Sequence, residues 1–149
     1  MDKSSPSRRP AELSNCTGVV DTRLMNSENK RILHIPRRFA AEEWGGTETV
    51  ILEISKRQKQ AGWSPEIYTS LALSDRSEES IDGIPVCRFD YCYPFFGLSE
   101  MDRLAMDKKG GNLLSFAIFR ALRSASGVRL FHAHALKRLG GEGRTAARL

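Results

Sequence analysis

Residues 31–62 decide the fold, and they read RILHIPRRFAAEEWGGTETVILEISKRQKQAG. The apolar run at residues 32–35, which a proline ends, predicts a short buried strand. After a loop that closes on a pair of glycines, Thr47 is a good N-cap, and the apolar residues that follow recur at helical spacing. Gly62 suits the left-handed position that ends a helix. This order of strand, loop and helix predicts the first unit of an α/β sheet.

The rest of the chain continues the alternation of strands and helices. Three further strands are predicted from short apolar runs, at residues 66–69, 86–89 and 128–134, with a polar loop at 74–82. Three further helices are predicted, from a capping box at Ser99 to Gly110, from Asn112 as N-cap through residue 122, and from about Gly140 onward. Crossovers between parallel strands are right-handed. We therefore expect an α/β fold, a Rossmann-like parallel sheet with helices on both faces and with strands 32–35 and 128–134 central.

The first 29 residues differ from the rest of the chain. They are rich in Ser, Pro and Arg and contain no apolar core, so they predict a disordered polar tail and exclude a secretory signal. Translation could also begin at Met25, just before the first patterned element. Residues 30–149 have the length of one domain. Because no run of about 18 apolar residues is present, a membrane-spanning helix is not expected.

Cysteine usage predicts a cytoplasmic protein. The three cysteines, Cys16, Cys87 and Cys92, form no CxxC pair. A disulfide framework or a zinc knuckle would need more cysteines at closer and regular spacing. A reducing compartment therefore fits this chain best.

The net charge of +5 is unevenly placed along the sequence. From Ala121 onward, six basic residues face a single acidic residue, Glu142. Such a bias suits a phosphate-bearing ligand, an anionic membrane surface or nucleic acid. A solvated basic surface is an equally good interpretation of the charge alone. We expect no specific nucleic-acid partner.

The glycine loop is the strongest candidate for a binding site. Gly45 and Gly46 let a ligand approach the backbone closely, and the free N–H groups of a helix that opens at Thr47 favour a phosphate. Ligands of open α/β sheets bind at the carboxyl ends of strands, where this loop is predicted. The alternative is a tight turn that only leads into the helix. The dinucleotide fingerprint GxGxxG and the phosphate-binding GxxxxGK[ST] motif are both absent.

Two histidines end the fourth predicted strand. His132 and His134 alternate along the strand and share one face, but without a carboxylate or cysteine partner they make a poor metal site, and none is expected. His134 is predicted to reach the ligand cleft as a hydrogen-bonding group, whereas His132 is interpreted as a core histidine. Lys137 and Arg138 follow in a loop where they could meet an anionic group, and an exposed basic turn is the equal alternative. No GxSxG nucleophile motif is present.

Five segments together resemble the N-terminal domain of family 4 retaining glycosyltransferases. They are RILHI at 31–35, WGGTE at 44–48, DGIPV at 82–86, FHAH at 131–134 and KRLGG at 137–141. The order and the spacing of these segments carry the resemblance, which covers residues 30–149.

The resemblance implies half of a GT-B fold, in which two Rossmann-like domains face each other across a cleft. The first domain mostly receives the acceptor, and the second mostly binds the sugar nucleotide. By this resemblance, Gly45 and Gly46 approach the donor diphosphate or the acceptor, and His134, the expected catalytic residue, contacts the transferred sugar. The implied partners are a nucleotide-sugar donor, which is a co-substrate without any further cofactor, and a glycan or lipid-linked acceptor. Transfer in this family retains configuration and generally needs no bound metal.

One feature of the family is missing from this chain. The family's second domain carries a donor-binding Glu-x7-Glu pair, and no two glutamates here are eight residues apart. We therefore expect the incomplete N-terminal half of a GT-B hexosyltransferase, inactive in this form. The alternative is a non-catalytic module or remnant whose basic surface holds an anionic glycolipid, a membrane face or a partner protein. Peripheral contact with the inner face of an anionic membrane, and self-association through an open sheet edge, are also expected.

Overall fold

The computed structural model describes residues 30–135 and 137–149. The predicted polar tail at residues 1–29, with Cys16 and the alternative start at Met25, lies outside the described residues. Within those residues, no helix combines the length and the apolar character needed to cross a bilayer.

The described chain alternates between strands and helices. The strands are β1 (Arg31–Ile35), β2 (Ser64–Ser70), β3 (Glu78–Ile81), β4 (Ile84–Phe89) and β5 (Val128–Ala133). The α-helices are α1 (Gly46–Gln60), α2 (Glu100–Lys109), α3 (Phe116–Ser124) and α4 (Lys137–Ala146), and a short 3-10 helix spans Ala41–Glu43. The α/β fold class predicted from the sequence is confirmed.

The sheet has the strand order β3-β4-β2-β1-β5. The strands β4, β2, β1 and β5 run parallel, and β3 is antiparallel to β4. From β1 the chain builds the sheet in one direction through β2 and β4, and it then returns to add β5 on the other side of β1. The strand order therefore reverses between β1 and β5, and such a reversal opens a crevice at the carboxyl ends of the two strands.

β5 lies at the edge of the described sheet, so the prediction that residues 128–134 form a central strand is wrong. The predicted strand at 32–35 is central, between β2 and β5. The strand was predicted as central from its apolar side chains, but within the described residues only one face of β5 is covered. Phe131 packs against a core on that face, whereas Leu130, which points to the other face, is 48% exposed.

The polar segment at 74–82, which was predicted as a loop, contains β3. This strand pairs with β4 as a hairpin, and the turn residues Asp82 and Gly83 both have positive φ, at 51° and 75°. Two-residue hairpin turns of type I′ need positive φ at both positions, and Asp-Gly is a preferred pair there. The segment forms a strand in spite of its polar composition, because the turn favours a hairpin and an edge strand of an antiparallel pair can keep one face in water.

Helices cover both faces of the sheet. On one face, α1 contributes Ile51 and Leu52 to a core with residues of β2 and β4. On the other face, Leu33 and Ile35 of β1 pack in a core to which α3 and α4 contribute. Side chains alternate along a strand, so His34 points to the α1 face, where it contacts that helix.

The ends of α1 and α2 agree with most of the sequence signals, but Thr47 is not the N-cap of α1. The N-cap is Gly45, whose N–H donates to the Glu48 carboxylate at 3.2 Å, so the helix begins at Gly46 and Thr47 lies in its first turn. Gly62 has the left-handed φ of 80°. At α2, the Ser99 hydroxyl accepts a hydrogen bond from the Asp102 N–H at 3.1 Å, and Gly110 closes the helix with φ 93°. Both ends follow from local cap chemistry.

The start of α3 differs from the prediction, because Ser115 caps the helix in place of Asn112. The Ser115 hydroxyl accepts a hydrogen bond from the Ile118 N–H at 3.1 Å. The Asn112 side chain instead accepts at 3.2 Å from the backbone N–H of Arg138, in the first turn of α4. Asn112 is therefore a helix cap, but for a helix that begins 25 residues further along the chain.

α4 begins at Lys137, earlier than the predicted start near Gly140. Gly140 and Gly143 lie inside the helix because it packs closely on β1 and on the segment that follows β5. A Cβ at Gly140 would collide with the carbonyl oxygen of Ala135, and one at Gly143 would lie 3.0 Å from Ile35 Cδ1. Tertiary packing therefore outweighs the poor helix propensity of glycine here.

Candidate functional site

A cleft of about 450 Å³ lies where the strand order reverses. Its walls are the segments that follow β1 and β5, the first turn of α1, the C-terminal end of α2 and the start of α4. Open α/β sheets bind their ligands at this place, because the two connecting helices leave on opposite faces and part the loops between them.

Most residues that the sequence singled out lie together in this cleft. Lining it are Gly45, Gly46, Thr47, His134 and Lys137. Arg138 is placed outside the lining, and its Nη1 donates to the carbonyl oxygen of Asn112 at 3.3 Å. The fold thus brings the glycine loop and the end of β5 to one edge of the sheet, while the roles of these residues remain predictions.

The loop after β1 is fastened to the sheet by buried polar side chains. Thr69 and Ser70 donate to the first two carbonyl oxygens of the loop, at 3.1 and 2.6 Å. Arg88, which is 3% exposed, donates through two nitrogens to the carbonyl oxygen of Phe39, at 2.6 and 3.0 Å. These bonds satisfy the backbone of an irregular segment and fix the cleft floor.

Four basic residues that sequence reasoning did not select also line the cleft, Arg37, Arg38, Lys108 and Lys109. Arg37 and Arg38 could have been found, because they directly follow the carboxyl end of a predicted strand. Lys108 and Lys109 carry no such signal, since only the packing of α2 brings them here. Arg37 Nη2 and Arg38 Nη1 donate to carbonyl oxygens at the end of α2, at 2.8 and 3.4 Å.

The cleft carries a net positive charge. Five basic side chains line it, and Glu48 is the one carboxylate among its described lining residues. Glu48 is buried at the first turn of α1, where it accepts from the Gly45 N–H at 3.2 Å and lies 3.4 Å from Arg38 Nε. Lys109 and Lys137 have no ion pair within the described residues, and the buried Arg37 Nη1 has no hydrogen-bond partner there.

Gly46 is a glycine that the backbone does not require. It has no positive φ, and a Cβ added to it would meet no heavy atom within 4 Å. Gly45 differs, because a Cβ there would lie 3.0 Å from the Glu48 carboxylate. A tight turn therefore does not explain Gly46. Its missing side chain keeps the N-terminal end of α1 open to the cleft.

The three histidines of the chain meet beside the cleft. His34 Nδ1 lies 2.8 Å from His134 Nε2, and His34 Nε2 lies 2.7 Å from the side-chain oxygen of Gln58 on α1. The rings of His132 and His134 have their centroids 4.0 Å apart. His132, which was interpreted as a core residue, is half-buried, and the buried His34 was missed. The sequence held no signal for this meeting, because the pairing of β1 with β5 brings the three side chains together.

His34 and His134 are both neutral near pH 7. Burial lowers the pKa of His134 to about 4, and the nearby His132 and His34 act in the same direction. Burial also lowers the pKa of His34 and outweighs the hydrogen bond to Gln58, which raises it. The positive charge of the cleft therefore comes from its arginines and lysines, while His134 can donate or accept one neutral hydrogen bond at each nitrogen.

One ring nitrogen from each of the three histidines lies within 4.8 Å of the other two. The three nitrogens could bind one metal ion if they moved closer together. A tetrahedral zinc ion with bonds of about 2.0–2.1 Å holds its ligand atoms roughly 3.4 Å apart. Both ring nitrogens of His34 already make hydrogen bonds, so an ion bound to this ring would have to replace one of them. In the structure, His34 and His134 thus meet each other's hydrogen-bonding needs at this place.

The cleft is equipped for binding more than for covalent catalysis. Among the described residues that line it, Thr47 supplies the one side-chain hydroxyl, and there is no cysteine. The lining side chains therefore do not form the pair of nucleophile and base that covalent acyl or glycosyl transfer uses. The arrangement can neutralise an anion, donate backbone N–H groups to it and hydrogen-bond a neutral group through His134.

Comparison with known proteins gave no relative for this chain, because no protein-family model, no curated protein and no solved structure matches it.

Proposed function

We propose that this chain is the acceptor-side domain of a retaining glycosyltransferase, and that its cleft receives the diphosphate of a nucleotide sugar with the transferred sugar beside His134. The proposal joins the resemblance of the five sequence segments to the chemistry of the cleft. In it, the backbone at Gly46 and Thr47 and the surrounding cations bind the phosphates, and His134 contacts the sugar.

The observation that carries the proposal is the empty space at Gly46. The space faces the N–H groups of the first turn of α1, which have no intrahelical partner. Lys109, Lys137 and His134 line the same cleft, and neither lysine has an ion pair within the described residues. A phosphate seated there gains up to about 2 kcal/mol from the helix dipole in a partly buried site.

The implied reaction needs no protein nucleophile, and the one lining carboxylate, Glu48, is buried and held by the Gly45 N–H and Arg38. In that reaction, the acceptor hydroxyl oxygen bonds to the anomeric carbon on the face that the phosphate leaves. The bond between the anomeric carbon and the phosphate oxygen breaks, and the acceptor proton passes to the released phosphate. The protein then contributes charge stabilisation and positioning, and positioning alone is worth about 7–11 kcal/mol when both substrates are held together in a reactive geometry.

A second candidate function is a non-catalytic module that holds an anionic glycolipid or a membrane face. It is favoured by the exposed apolar side chains of Phe95, Phe96 and Met101, of which Phe96 is fully exposed. Apolar side chains near a basic surface suit the interface of an anionic membrane. This module would bind vesicles containing phosphatidylglycerol and would ignore soluble nucleotide sugars.

The test is a ligand-observed NMR titration of the purified chain with UDP-glucose, GDP-mannose and inorganic pyrophosphate, together with cosedimentation on phosphatidylglycerol vesicles. The proposed function predicts weak binding of all three soluble ligands, with a Kd on the order of 1 mM or about 4 kcal/mol. Raising the salt concentration should weaken this binding, since the cleft is open to solvent. Vesicle binding without any ligand binding would replace the proposal by the second candidate.

A charge variant and its matched control locate the binding. Lys109→Gln combined with Lys137→Gln removes two cleft charges that have no ion pair among the described residues, and we expect at least a fivefold loss of pyrophosphate affinity. Arg123→Gln combined with Arg144→Gln removes two exposed charges that lie outside the cleft and should leave affinity within twofold. Equal losses in the two variants would mean that only the net charge of the protein matters.

A further inference from the structure

His34, His134 and Gln58 form a hydrogen-bonded chain that leads from α1 to the cleft. It runs from the Gln58 amide oxygen to His34 Nε2, through the ring, and from His34 Nδ1 to His134 Nε2. His34 is fully buried, so water cannot replace either of its partners. His134 Nδ1 makes no hydrogen bond within the described residues, and it is the ring nitrogen left for a ligand.

The direction of every proton in this chain follows from the first bond. A side-chain amide oxygen only accepts, so His34 carries its proton on Nε2 and has a lone pair on Nδ1. His134 must then donate from Nε2 to that lone pair. A neutral imidazole holds one N–H, so His134 Nδ1 has a lone pair as well. With the Gln58 amide reversed, each of these protons would move to the other nitrogen.

We propose that Gln58 and His34 are positioning residues that hold His134 in one tautomer, with Nδ1 as a hydrogen-bond acceptor for a hydroxyl group of the ligand. This inference rests on the proposed function only for the identity of that ligand. An acceptor nitrogen repels a phosphate oxygen and attracts a hydroxyl, so His134 selects the sugar end of a nucleotide sugar. The arginines and lysines that line the cleft meet the phosphate end.

The tautomers are measured directly by long-range proton–nitrogen correlation spectra of the three imidazole rings at pH 7.5, without ligand. Because the chain has only three histidines, the spectrum contains six ring nitrogens to assign. We expect protonated Nε2 and unprotonated Nδ1 in both His34 and His134. A His134 ring protonated on Nδ1, or one that averages between tautomers, would overturn the inference.

Two substitutions of Gln58 test its control over His134, which it does not touch. Gln58→Glu keeps an oxygen acceptor and should preserve both tautomers. Gln58→Leu removes the acceptor, and the nitrogen shifts of His34 and His134 should then move toward averaged values. Gln58 is half-buried, and backbone amide spectra establish that each variant is folded. Unchanged His134 nitrogen shifts in a folded Gln58→Leu protein would show that the chain does not position the ring.

Two additions complete the test. One equivalent of Zn²⁺ should leave the ring nitrogens unmoved, and shifts of all three rings at that stoichiometry would establish a metal centre and overturn the proposal. Saturating UDP-glucose should move the His134 Nδ1 resonance. If UDP-glucose shifts the backbone amides of Gly46 and Thr47 but leaves Nδ1 unmoved, the hydroxyl role is wrong while the proposed function stands. If apo tautomers are as expected and no nucleotide sugar binds, only the proposed function fails.

Discussion

His34 Nδ1 and His134 Nε2 lie 2.8 Å apart, although 100 residues separate them in the sequence. The parallel pairing of β1 with β5 sets His34 opposite His132, and His134 follows on the same face just beyond the strand end. A polar contact thus joins the two strands between which the strand order reverses. Those strands bound the cleft, so the contact ties its two walls together.

The empty space at Gly46 gives the first prediction. Gly46→Val should reduce pyrophosphate and UDP-glucose affinity at least tenfold, which is about 1.4 kcal/mol, because the side chain would fill the approach to the first turn of α1. The unfolding temperature should not fall, since the added Cβ meets nothing within 4 Å and the backbone is unstrained. Isothermal ligand titration and thermal unfolding measure the two effects.

Gly141→Val is the matched control for this variant. Gly141 also lies in a helix with open space at its Cβ, but outside the cleft. Its affinity for both ligands should equal that of the unchanged protein. If Gly46→Val binds as tightly as this control, the site does not lie at the glycine loop.

The low pKa of His134 predicts a loss of stability in acid. A ring with a pKa of about 4 in the folded protein and 6.5 when unfolded binds more protons after unfolding between these values. The stability that it contributes is therefore complete above pH 6.5 and is lost as the pH falls toward 4. A full shift of this size would be about 3.4 kcal/mol, and solvent screening of a half-buried ring reduces the expected loss to about 1–2 kcal/mol.

The measurement compares the unchanged protein with His134→Gln by thermal unfolding from pH 7.5 to pH 4. Glutamine does not titrate and can still donate to His34, so the difference between the two proteins isolates the imidazole from the carboxylates. The stability gap should narrow by the stated amount as the pH falls. Parallel pH curves for the two proteins would refute the lowered pKa.

For the carboxyl group of Glu142 we expect the opposite pH dependence, in which its contribution to stability improves as the pH falls. Burial raises its pKa, against the hydrogen bond that its Oε1 accepts from the Ser115 N–H at 3.0 Å. A raised carboxyl pKa means that the charged form is penalised in the folded protein at neutral pH, and the penalty disappears as the pH falls and the group is protonated. Glu142→Gln keeps the acceptor oxygen and should stabilise the protein by roughly 0.5–1 kcal/mol at pH 7.

The gain from Glu142→Gln should vanish in chemical denaturation at pH 4, where the carboxyl is largely protonated. Glu100→Gln, on an exposed position in the first turn of α2, is a control that should not stabilise the protein at either pH. Destabilisation by Glu142→Gln at pH 7 would mean that the charge interacts favourably with the start of α3.

The helix caps Ser115 and Asn112 should differ in how much each contributes to stability. Ser115 is 1% exposed, and its hydroxyl also donates to the carbonyl oxygen of Asp90. Ser115→Ala should therefore cost about 1–2 kcal/mol, since it removes the cap of α3 and also the donor to the Asp90 carbonyl oxygen. Asn112→Ala, which removes the more exposed bond to α4, should cost less than about 1 kcal/mol. Urea denaturation that reversed this order would contradict the assignment of Ser115 as the cap.

Local patterns in the sequence predicted the fold class and most of the elements. The strand at 32–35, the helix after the glycine pair and the N-cap at Ser99 all depend on residues within one turn or one strand, and each is confirmed, although Gly45 and not Thr47 caps the first helix. The hairpin turn at Asp82 and Gly83 was also a local signal and could have been used. What local patterns do not contain is the order of strands, so the edge position of β5 could not be derived.

The cleft was predictable only in part, for the same physical reason. Gly46 and His134 are placed by rules about the ends of strands, whereas Lys108 and Lys109 reach the cleft through the packing of α2. The role of Asn112 as a cap for α4 is equally non-local. His34 was hidden because a buried strand position gives no sign of which side chains it will meet across the sheet.

The most direct measurement is a titration of the ¹⁵N-labelled chain with UDP-glucose, followed through backbone amide and imidazole signals. The predicted result is a saturable shift of the Gly45, Gly46 and Thr47 amides and of His134, with the amides of β3 and of the C-terminal half of α3 unmoved. Saturable shifts that avoid the glycine loop and His134, or no shift at ligand concentrations well above 1 mM, would contradict a nucleotide-sugar site at the junction of β1 and β5.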